Sequence, residues 1–425
     1  MLIICAIFAV FLLLGMPVAF AIGIASFVFF LEAPFVPTSI AVQKIASASQ
    51  SFPLLAVPFF VLAGNLMNAT GITTRLIGFA TVLTGWMVGG LAQVSIALSA
   101  LMGGISGSAV ADAAMEARIL GPSMIARGFS RGYTGAVIAL SSLICATIPP
   151  SIGLILYGYL GNVSIGRLFL AGIIPGLLMA AFLMTTAWMI ARRRGYKAEH
   201  DRKPTVREVL KGLNQSKWAL LFPVLLIGGI RFGVFTPSEA GAFAVLYALL
   251  IGLFVYRELT GAAILRVLHQ SVSDIGMIML IIMLSAMLGH AIILEQVPQS
   301  LSQLVTGISD NKTIMILMIL LFLLVCGMFV ESTVNVLLLT PIFVPVINHV
   351  GIDPVHFGIL MMTMVTLGSM TPPVGVAMYT VCGLLNCPTD VYIKESLPFT
   401  AAVILLVIVL TFVPDVVLFL PRLLF

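Results

Sequence analysis

Long apolar stretches recur along this chain, and they limit what it can fold into. They begin at residues 2–14 and continue as far as residues 401–413. Only 9% of the 425 residues are Asp, Glu, Lys or Arg, whereas about 25% is usual for a soluble domain. Because a helix needs about 20 apolar residues to cross a bilayer, the sequence predicts an all-α polytopic membrane protein. We expect about ten to twelve spans or re-entrant elements.

One long polar stretch interrupts the apolar sequence, at residues 192–217. It contains nine of the 21 Lys and Arg residues of the chain. Since positively charged loops stay on the cytoplasmic side of a membrane, we expect a basic cytoplasmic linker between a first half, residues 1–191, and a second half, residues 218–425. Anionic lipid or nucleic acid could also bind a basic run. A position beside membrane spans favours the topological role, with membrane lipid and no nucleic acid as a partner.

Two double-proline motifs indicate that the chain contains an internal duplication. "TIPPSIG" surrounds Pro149 and "MTPPVGV" surrounds Pro372, at an offset of 223 residues (372 − 149). Gly104 of "GISGS" and Gly327 of "GMFVES" share that offset (327 − 104). Two similar halves are typical of transporters built from structural repeats. If each half crosses the membrane an odd number of times, the repeats are inverted and both chain ends are periplasmic.

The double prolines predict a discontinuous helix in each half, at about residues 130–160 and 356–386. Proline has no N–H, so Pro149 removes the helical partner of the Cys145 carbonyl, and the second motif does the same for Gly368. In lipid such a carbonyl is tolerated only beside a protein-lined cavity or a bound ion. Free carbonyl oxygens suit a hard cation such as Na⁺. Ordinary proline kinks are the alternative for either motif alone.

A glycine- and serine-rich stretch, "GGISGSAVADAAM", begins at Gly103 and divides an apolar run into two arms too short to span a bilayer. It predicts the tip of a re-entrant helical hairpin over about residues 89–123. Ser106 and Ser108 are suited to bind an ion or to cap the outgoing arm, whose free N–H groups attract an anion.

A second re-entrant hairpin is predicted over about residues 312–348, with its tip at "CGMFVESTVN". The polar groups of this tip are Glu331, Ser332, Thr333 and Asn335. An ionisable side chain at membrane depth is functional by default. An interfacial carboxylate is the alternative interpretation of Glu331.

Two further acidic residues, Asp112 and Glu116, are four positions apart and so share one face of the outgoing arm. This spacing is equally compatible with two roles. The carboxylates are suited to help bind a cation, or to pair with Arg118 or Arg127.

With these motifs in hand, the chain resembles the large membrane subunit of the tripartite ATP-independent periplasmic (TRAP) transporters. The resemblance extends nearly end to end and is carried by several segments: "GGISGSAVADAAMEARILGPSMIARGFSRGYTGAVIA", "IPPSIGLILYGYLGNVSIGRLFLAGIIPGLL", "GGIRFGVFTPSEAGAFAVLYALLIGLFVYREL", "GMFVESTVNVLLLTPIFVPV" and "TPPVGVAMY". It implies an elevator-type secondary active transporter, not an enzyme, in the bacterial inner membrane. The substrate class is an organic acid: a dicarboxylate, a sialic acid or a similar carboxylate.

The resemblance also implies partners, coupling ions and a set of site residues. A small membrane subunit of about four helices and a periplasmic substrate-binding protein accompany such a subunit. Sodium ions drive uptake, with no covalent cofactor and no transition metal. The sodium ligands it implies are Ser106, Ser108, Cys145, Ile148 and Pro150 in the first half and Gly327, Gly368 and Thr371 in the second. The substrate would lie between the two tips, in contact with Ser106, Gly107, Ser108, Ser151, Glu331, Ser332, Thr333, Asn335 and Pro373.

Other functional classes account for less of the sequence. The residues Gly104 to Gly107 spell the G-x-S-G of an intramembrane serine protease, with His290 as a conceivable base. Serine catalysis needs that base within hydrogen-bond reach of the nucleophile, and it offers no reason for the repeat. An ATP-driven pump is disfavoured because the sequence has no G-x-x-x-x-G-K-[ST] motif.

Overall fold

The computed structural model describes residues 2–33, 36–308 and 311–425. Within those ranges the chain is helical and contains no strand. The helices are α1 Leu2–Leu13, α2 Val18–Glu32, α3 Ser39–Ser49, α4 Ala56–Ala69, α5 Ile72–Thr84, α6 Gly90–Met102, α7 Ala109–Ile119, α8 Gly121–Ala126, α9 Arg131–Thr147, α10 Ile152–Leu160, α11 Ile165–Arg194, α12 Val206–Arg231, α13 Pro237–Leu250, α14 Gly261–Leu294, α15 Val297–Ile308, α16 Lys312–Phe329, α17 Ser332–Val350, α18 Pro354–Gly368, α19 Val376–Leu385, α20 Thr389–Phe412 and α21 Pro414–Leu424.

Several of these helices are long and apolar enough to cross a membrane. Eight of the described helices meet that description, and α9 with α10 forms a ninth span if the two are counted as one bent element. The bend between α9 and α10 is 45°. The prediction of an all-α polytopic membrane protein is therefore confirmed.

Helix starts recur along the chain with nearly the offset of the double-proline motifs. From α6 to α16 the starts differ by 222 residues (312 − 90), from α7 to α17 by 223 (332 − 109) and from α9 to α18 by 223 (354 − 131). From α10 to α19 and from α11 to α20 they differ by 224 (376 − 152 and 389 − 165). This recurrence supports the predicted duplication, whereas the inversion of the two halves stays a prediction.

The two halves interlock where the helices are broken. Helix α7 of the first half packs against α19 of the second, and α10 of the first half packs against α17 of the second. Within each half, α6 packs against α9 and α16 packs against α18. The helices on either side of the breaks in both halves therefore share one packed core.

The segment without helical structure between the two halves is shorter than the basic linker predicted over residues 192–217. Helix α11 continues to Arg194, and α12 begins at Val206 with Thr205 as its cap. Only residues 195–205 lie outside these helices. Lys and Arg are good helix formers, so the charged residues at both ends of the stretch extend the flanking helices.

The linker packs against the turn between α5 and α6. The N–H groups of Glu199 and His200 donate to the Gly85 carbonyl oxygen at 2.8 and 3.1 Å. The Glu199 carboxylate also pairs with Arg127, with a nitrogen–oxygen distance of 2.6 Å. These contacts tie the linker to the entry and the exit of the predicted first hairpin.

Close packing at the first helix break depends on Gly172 of α11. A Cβ atom at this position would lie 2.1 Å from the carbonyl oxygen of Thr147, the last residue of α9. Only a residue without a side chain therefore lets α11 approach the end of α9 so closely.

Gly172→Ala is expected to destabilise the protein by about 1–3 kcal/mol, because a methyl group would be forced against a main-chain oxygen. Gly276→Ala is the matched control, since a Cβ at Gly276 meets no atom within 4 Å. The control should match or slightly exceed the wild type in stability, because alanine favours a helix over glycine. Thermal unfolding of the purified protein measures both effects, and equal melting temperatures for the two variants would contradict this account of the packing.

Candidate ion and substrate site

The first tip, residues 103–108, joins two short helices. Helix α6 has 13 residues and α7 has 11, which correspond to rises of about 20 and 17 Å. A hydrocarbon layer is about 30 Å thick. Neither helix crosses it, and Gly107 supplies a left-handed turn between them with φ of +62°. These lengths support the predicted re-entrant hairpin.

The first tip contacts the first break, residues 148–151. The Ser106 hydroxyl oxygen lies 2.8 Å from the Cys145 sulfur. A Cβ atom at Gly107 would lie 2.4 Å from the Pro150 carbonyl oxygen and 3.4 Å from the amide nitrogen of Ile152. The N-termini of α7 and α10 therefore meet around Gly107.

Other predicted residues of the first half lie at the same place. Gly103 packs on Ile148, since a Cβ at the glycine would lie 2.8 Å from the Ile148 Cβ. Ser108 and Ser151 cap α7 and α10, and each hydroxyl accepts from the amide three residues later at 3.5 and 3.4 Å. These capping bonds are long for O···H–N bonds. Both helix N-termini thus keep N–H groups that are suited to bind an anion.

The carbonyl oxygens that the prolines release have different surroundings in the two halves. No described residue donates a hydrogen bond to the Cys145 oxygen. The Gly368 oxygen, in contrast, accepts from both the N–H and the hydroxyl of Thr371, each at 2.9 Å. The expectation that proline leaves Gly368 without a partner is therefore wrong, because Thr371 forms a tighter turn there. Its role as a sodium ligand stays a prediction.

The second tip, residues 326–335, is organised by Glu331, the N-cap of α17. Its carboxylate accepts from the N–H groups of Thr333 and Val334 at 2.8 and 3.3 Å. It also accepts from the hydroxyls of Ser332 and Thr333, each at 3.0 Å. The anion-attracting end of α17 is therefore already occupied by a carboxylate of the chain itself.

The other predicted site residues of the second half are either packed in the interior or exposed at the surface. Gly327 and Gly368 touch, since a Cβ at Gly368 would lie 2.5 Å from the Gly327 Cα. The Asn335 side chain is buried and donates to the Val330 oxygen at 2.8 Å. Pro373 is exposed. Within the described ranges, no hydrogen bond joins the two tips.

The arms of the second predicted hairpin differ in length from those of the first. Helices α16 and α17 have 18 and 19 residues, and each is long and apolar enough to cross a membrane. The break between them is at the predicted position, with Val330 and Glu331 in extended conformation. The re-entrant character of this pair stays a prediction.

Two contacts near the site were not predicted from the sequence. The hydroxyls of Ser95 and Ser99 donate to the Glu116 carboxylate. Their spacing of four residues on α6 was the available signal, since it places both on one helix face. Arg127, a candidate partner of Glu116, pairs with Glu199 instead.

His290, the conceivable base of a protease, lies in a different environment from Ser106. Its ring stacks on Phe30 with centroids 6.3 Å apart. The partner of the Ser106 hydroxyl is the Cys145 sulfur. This geometry gives no support to a serine nucleophile.

Broken helices whose ends converge within a polytopic helical bundle are typical of secondary transporters. Residues 5–416 match the family model described as the tripartite ATP-independent periplasmic transporter, DctM component. The chain belongs to this family, as the sequence motifs predicted. It is therefore a secondary transporter component and not an enzyme.

Proteins with similar sequences cover almost all of the chain. The isethionate TRAP transporter permease protein DctMQ of Oleidesulfovibrio alaskensis is 34% identical over 97% of this chain, and the chain spans 65% of its length. The sialic acid TRAP transporter large permease protein SiaM of Vibrio cholerae is 39% identical over 96% of this chain and 95% of that protein.

A solved structure has a similar fold. The YdaH transporter of Alcanivorax borkumensis superposes with a TM-score of 0.57, and 96% of this chain and 97% of that chain are covered. Sequence identity is 13%, so the similarity concerns the fold alone.

Glu331→Gln is expected to lower the melting temperature, because an uncharged amide caps the N-terminus of α17 less well than a carboxylate. The free energy of unfolding should fall by about 1 kcal/mol. Glu239→Gln is a matched control at the exposed N-terminus of α13, where the carboxylate completes a capping box. Thermal unfolding should show a smaller decrease for the control. An unchanged melting temperature in Glu331→Gln would mean that the Glu331 carboxylate does not stabilise the N-terminus of α17.

Proposed function

We propose that this chain carries out sodium-coupled uptake of an organic acid across the bacterial inner membrane. One observation carries the proposal. Around Gly107, two helix N-termini meet close to the Pro150 carbonyl oxygen, to which no described residue donates a hydrogen bond. The N-termini attract an anion and the oxygen attracts a cation, so one place is suited to both substrate and coupling ion.

The cation would bind on the side of the first break. Main-chain oxygens of Cys145, Ile148 and Pro150 and the hydroxyls of Ser106 and Ser108 are the oxygen ligands that Na⁺ prefers. A second Na⁺ would bind at Gly327, Gly368 and Thr371. There the Thr371 hydroxyl would have to turn its hydrogen away from the Gly368 oxygen, so that both oxygens face the ion.

The anionic group of the substrate would bind at the first tip. Ser106, Gly107, Ser108 and Ser151 surround the N-termini of α7 and α10, whose capping bonds are long. At the second tip the Glu331 carboxylate occupies the corresponding helix end and would repel a second anion. We therefore propose that the second tip contacts uncharged parts of the substrate, through Ser332, Thr333, Asn335 and Pro373.

An organic acid is the substrate class that the relatives support. One relative is named for isethionate and another for sialic acid, and both compounds carry an acidic group that is ionised at neutral pH. A dicarboxylate belongs to the same class. The shared requirement is one fixed anionic group, which the first tip is suited to bind.

Two protein partners complete the proposed transporter. The chain spans only 65% of the length of DctMQ, which leaves room in that relative for a second membrane subunit. We propose a small membrane subunit of about four helices as a separate partner here. A periplasmic substrate-binding protein would deliver the acid on the side where both chain ends lie, with the linker in the cytoplasm.

An elevator movement is the proposed transport step. Helices α7 and α10 pack against α19 and α17 of the other half. Both tips, the first break and the second break, residues 369–375 between α18 and α19, are therefore suited to move as one body. The remaining long helices would form the scaffold. Such a movement carries the site across the membrane without separating its two halves.

Uptake by proteoliposomes that contain the chain and its small membrane partner tests the proposed function. Uptake of a radiolabelled organic acid is expected only with an inward Na⁺ gradient and the binding protein, and without ATP. Uptake at the full rate in choline buffer, or without the binding protein, would reject sodium coupling or the tripartite organisation.

In the same assay, Ser106→Ala is expected to raise the Na⁺ concentration for half-maximal uptake by about tenfold, which corresponds to about 1.4 kcal/mol. The reason is the loss of the oxygen ligand that the first tip contributes to the proposed sodium site. Ser47→Ala removes an exposed hydroxyl of α3 and should leave the Na⁺ dependence unchanged. A wild-type Na⁺ dependence in Ser106→Ala would remove this side chain from the sodium site.

A further inference from the structure

Helix α7 carries two carboxylates into the packed core. Asp112 is 1% exposed and Glu116 is 0% exposed. They are four residues apart and act on each other electrostatically. Two buried negative charges are tolerated only when hydrogen bonds, a cation or a proton compensate them.

Hydrogen bonds compensate one of the two carboxylates. The Ser95 hydroxyl donates to one Glu116 oxygen at 2.5 Å, and the Ser99 hydroxyl donates to the other at 2.7 Å. Both serines are fully buried on α6. Each oxygen of Glu116 therefore has a hydroxyl donor.

The other carboxylate has no such compensation. Neither oxygen of Asp112 has a hydrogen-bond partner among the described residues. Ser99 lies near Asp112, but its single hydroxyl hydrogen is donated to Glu116. No described Lys, Arg or His forms an ion pair with either carboxylate, and the neighbouring Arg118 is exposed.

A cation beside Asp112 can bind both carboxylate oxygens at once. A proton would bind only one of them and leave the other without a hydrogen-bond partner. A cation beside Asp112 would be bound by the carboxylate and by hydroxyl oxygens that keep free lone pairs. Ser141 of α9 adds a further oxygen, 3.4 Å from that of Ser95.

We propose that Asp112 and Glu116, with the hydroxyl oxygens of Ser95 and Ser99, form a binding site for Na⁺ that is separate from the ion sites at the two tips. Asp112 is the carboxylate of this pair without a hydrogen-bond donor, so the cation would bind chiefly at Asp112. The ligands are side-chain oxygens on α6 and α7, whereas the tip site depends on main-chain oxygens of the first break.

This site would connect ion occupancy to the position of the first tip. The cation would hold α7 against α6. Helix α6 ends at the first tip and α7 begins there. The use of this cation as a coupling ion depends on the proposed transport function, whereas the binding of the cation to this site does not. Binding is therefore the measurement that separates the two.

The test is equilibrium binding of ²²Na⁺ to the purified full-length chain without substrate. Asp112→Asn keeps the shape of the side chain and removes its charge, and it is expected to bind one Na⁺ fewer per chain than the wild type. Asp201→Asn removes one negative charge from the exposed linker and is expected to bind as many Na⁺ as the wild type. Unchanged binding in a folded Asp112→Asn variant would overturn this site and leave the proposed function intact.

A second variant covers the case in which Asp112→Asn does not fold. Ser99→Ala keeps both carboxylates and removes one hydroxyl, and it is expected to bind one of the Na⁺ ions about tenfold more weakly, or by about 1.4 kcal/mol. Wild-type affinity for every Na⁺ in Ser99→Ala would also overturn the site. A wild-type chain that binds no Na⁺ at all would overturn this site and would also reject the proposed sodium coupling.

Discussion

Inside a bilayer every main-chain N–H and C=O group needs a partner, because the surrounding hydrocarbon supplies none. The double prolines remove helical hydrogen bonds at two places, and the surrounding structure has to compensate at each of them. At the first break the Cys145 oxygen is left without a partner. Such a group can be buried only where other elements screen it from lipid, which the first tip does through Ser106 and Gly107. The first tip and the helices around the first break therefore pack together where a main-chain oxygen has to be kept away from lipid.

A duplicated sequence does not produce two identical sites. Ser108 and Glu331 occupy equivalent positions at the common offset (331 − 108 = 223), and both cap the outgoing helix of their tip. The serine forms one long capping bond, whereas the glutamate accepts four bonds. One helix end therefore keeps its attraction for an anion, and the other is already neutralised. This difference between serine and glutamate at equivalent positions makes the two tips electrostatically unequal, as the proposed binding of an acidic substrate at the first tip requires.

Local rules predicted much of the fold and of the site from the sequence. Apolar run length predicted the helical membrane class, and the Pro149, Pro372 and Gly103 motifs predicted where helices break, because proline and glycine act on their own backbone. Contacts between distant segments were not predicted. Thr371 takes up the Gly368 oxygen through a turn whose geometry no residue spacing specifies. The linker packs on Gly85, and serines of α6 meet Glu116, because tertiary packing and not sequence neighbourhood brings those groups together.

Cross-half packing explains how events at the two tips can be connected. Helix α7 leaves the first tip and packs against α19, which follows the second break, while α17 leaves the second tip and packs against α10, which follows the first break. A change in the position of either outgoing helix is therefore applied directly to the broken helix of the opposite half. Because packed helix interfaces move as rigid units more easily than they deform, this packing is suited to connect the two tips without any contact between them. The buried carboxylates of α7, Asp112 and Glu116, lie on this connection, which places the proposed cation site between the first tip and the broken helix of the second half.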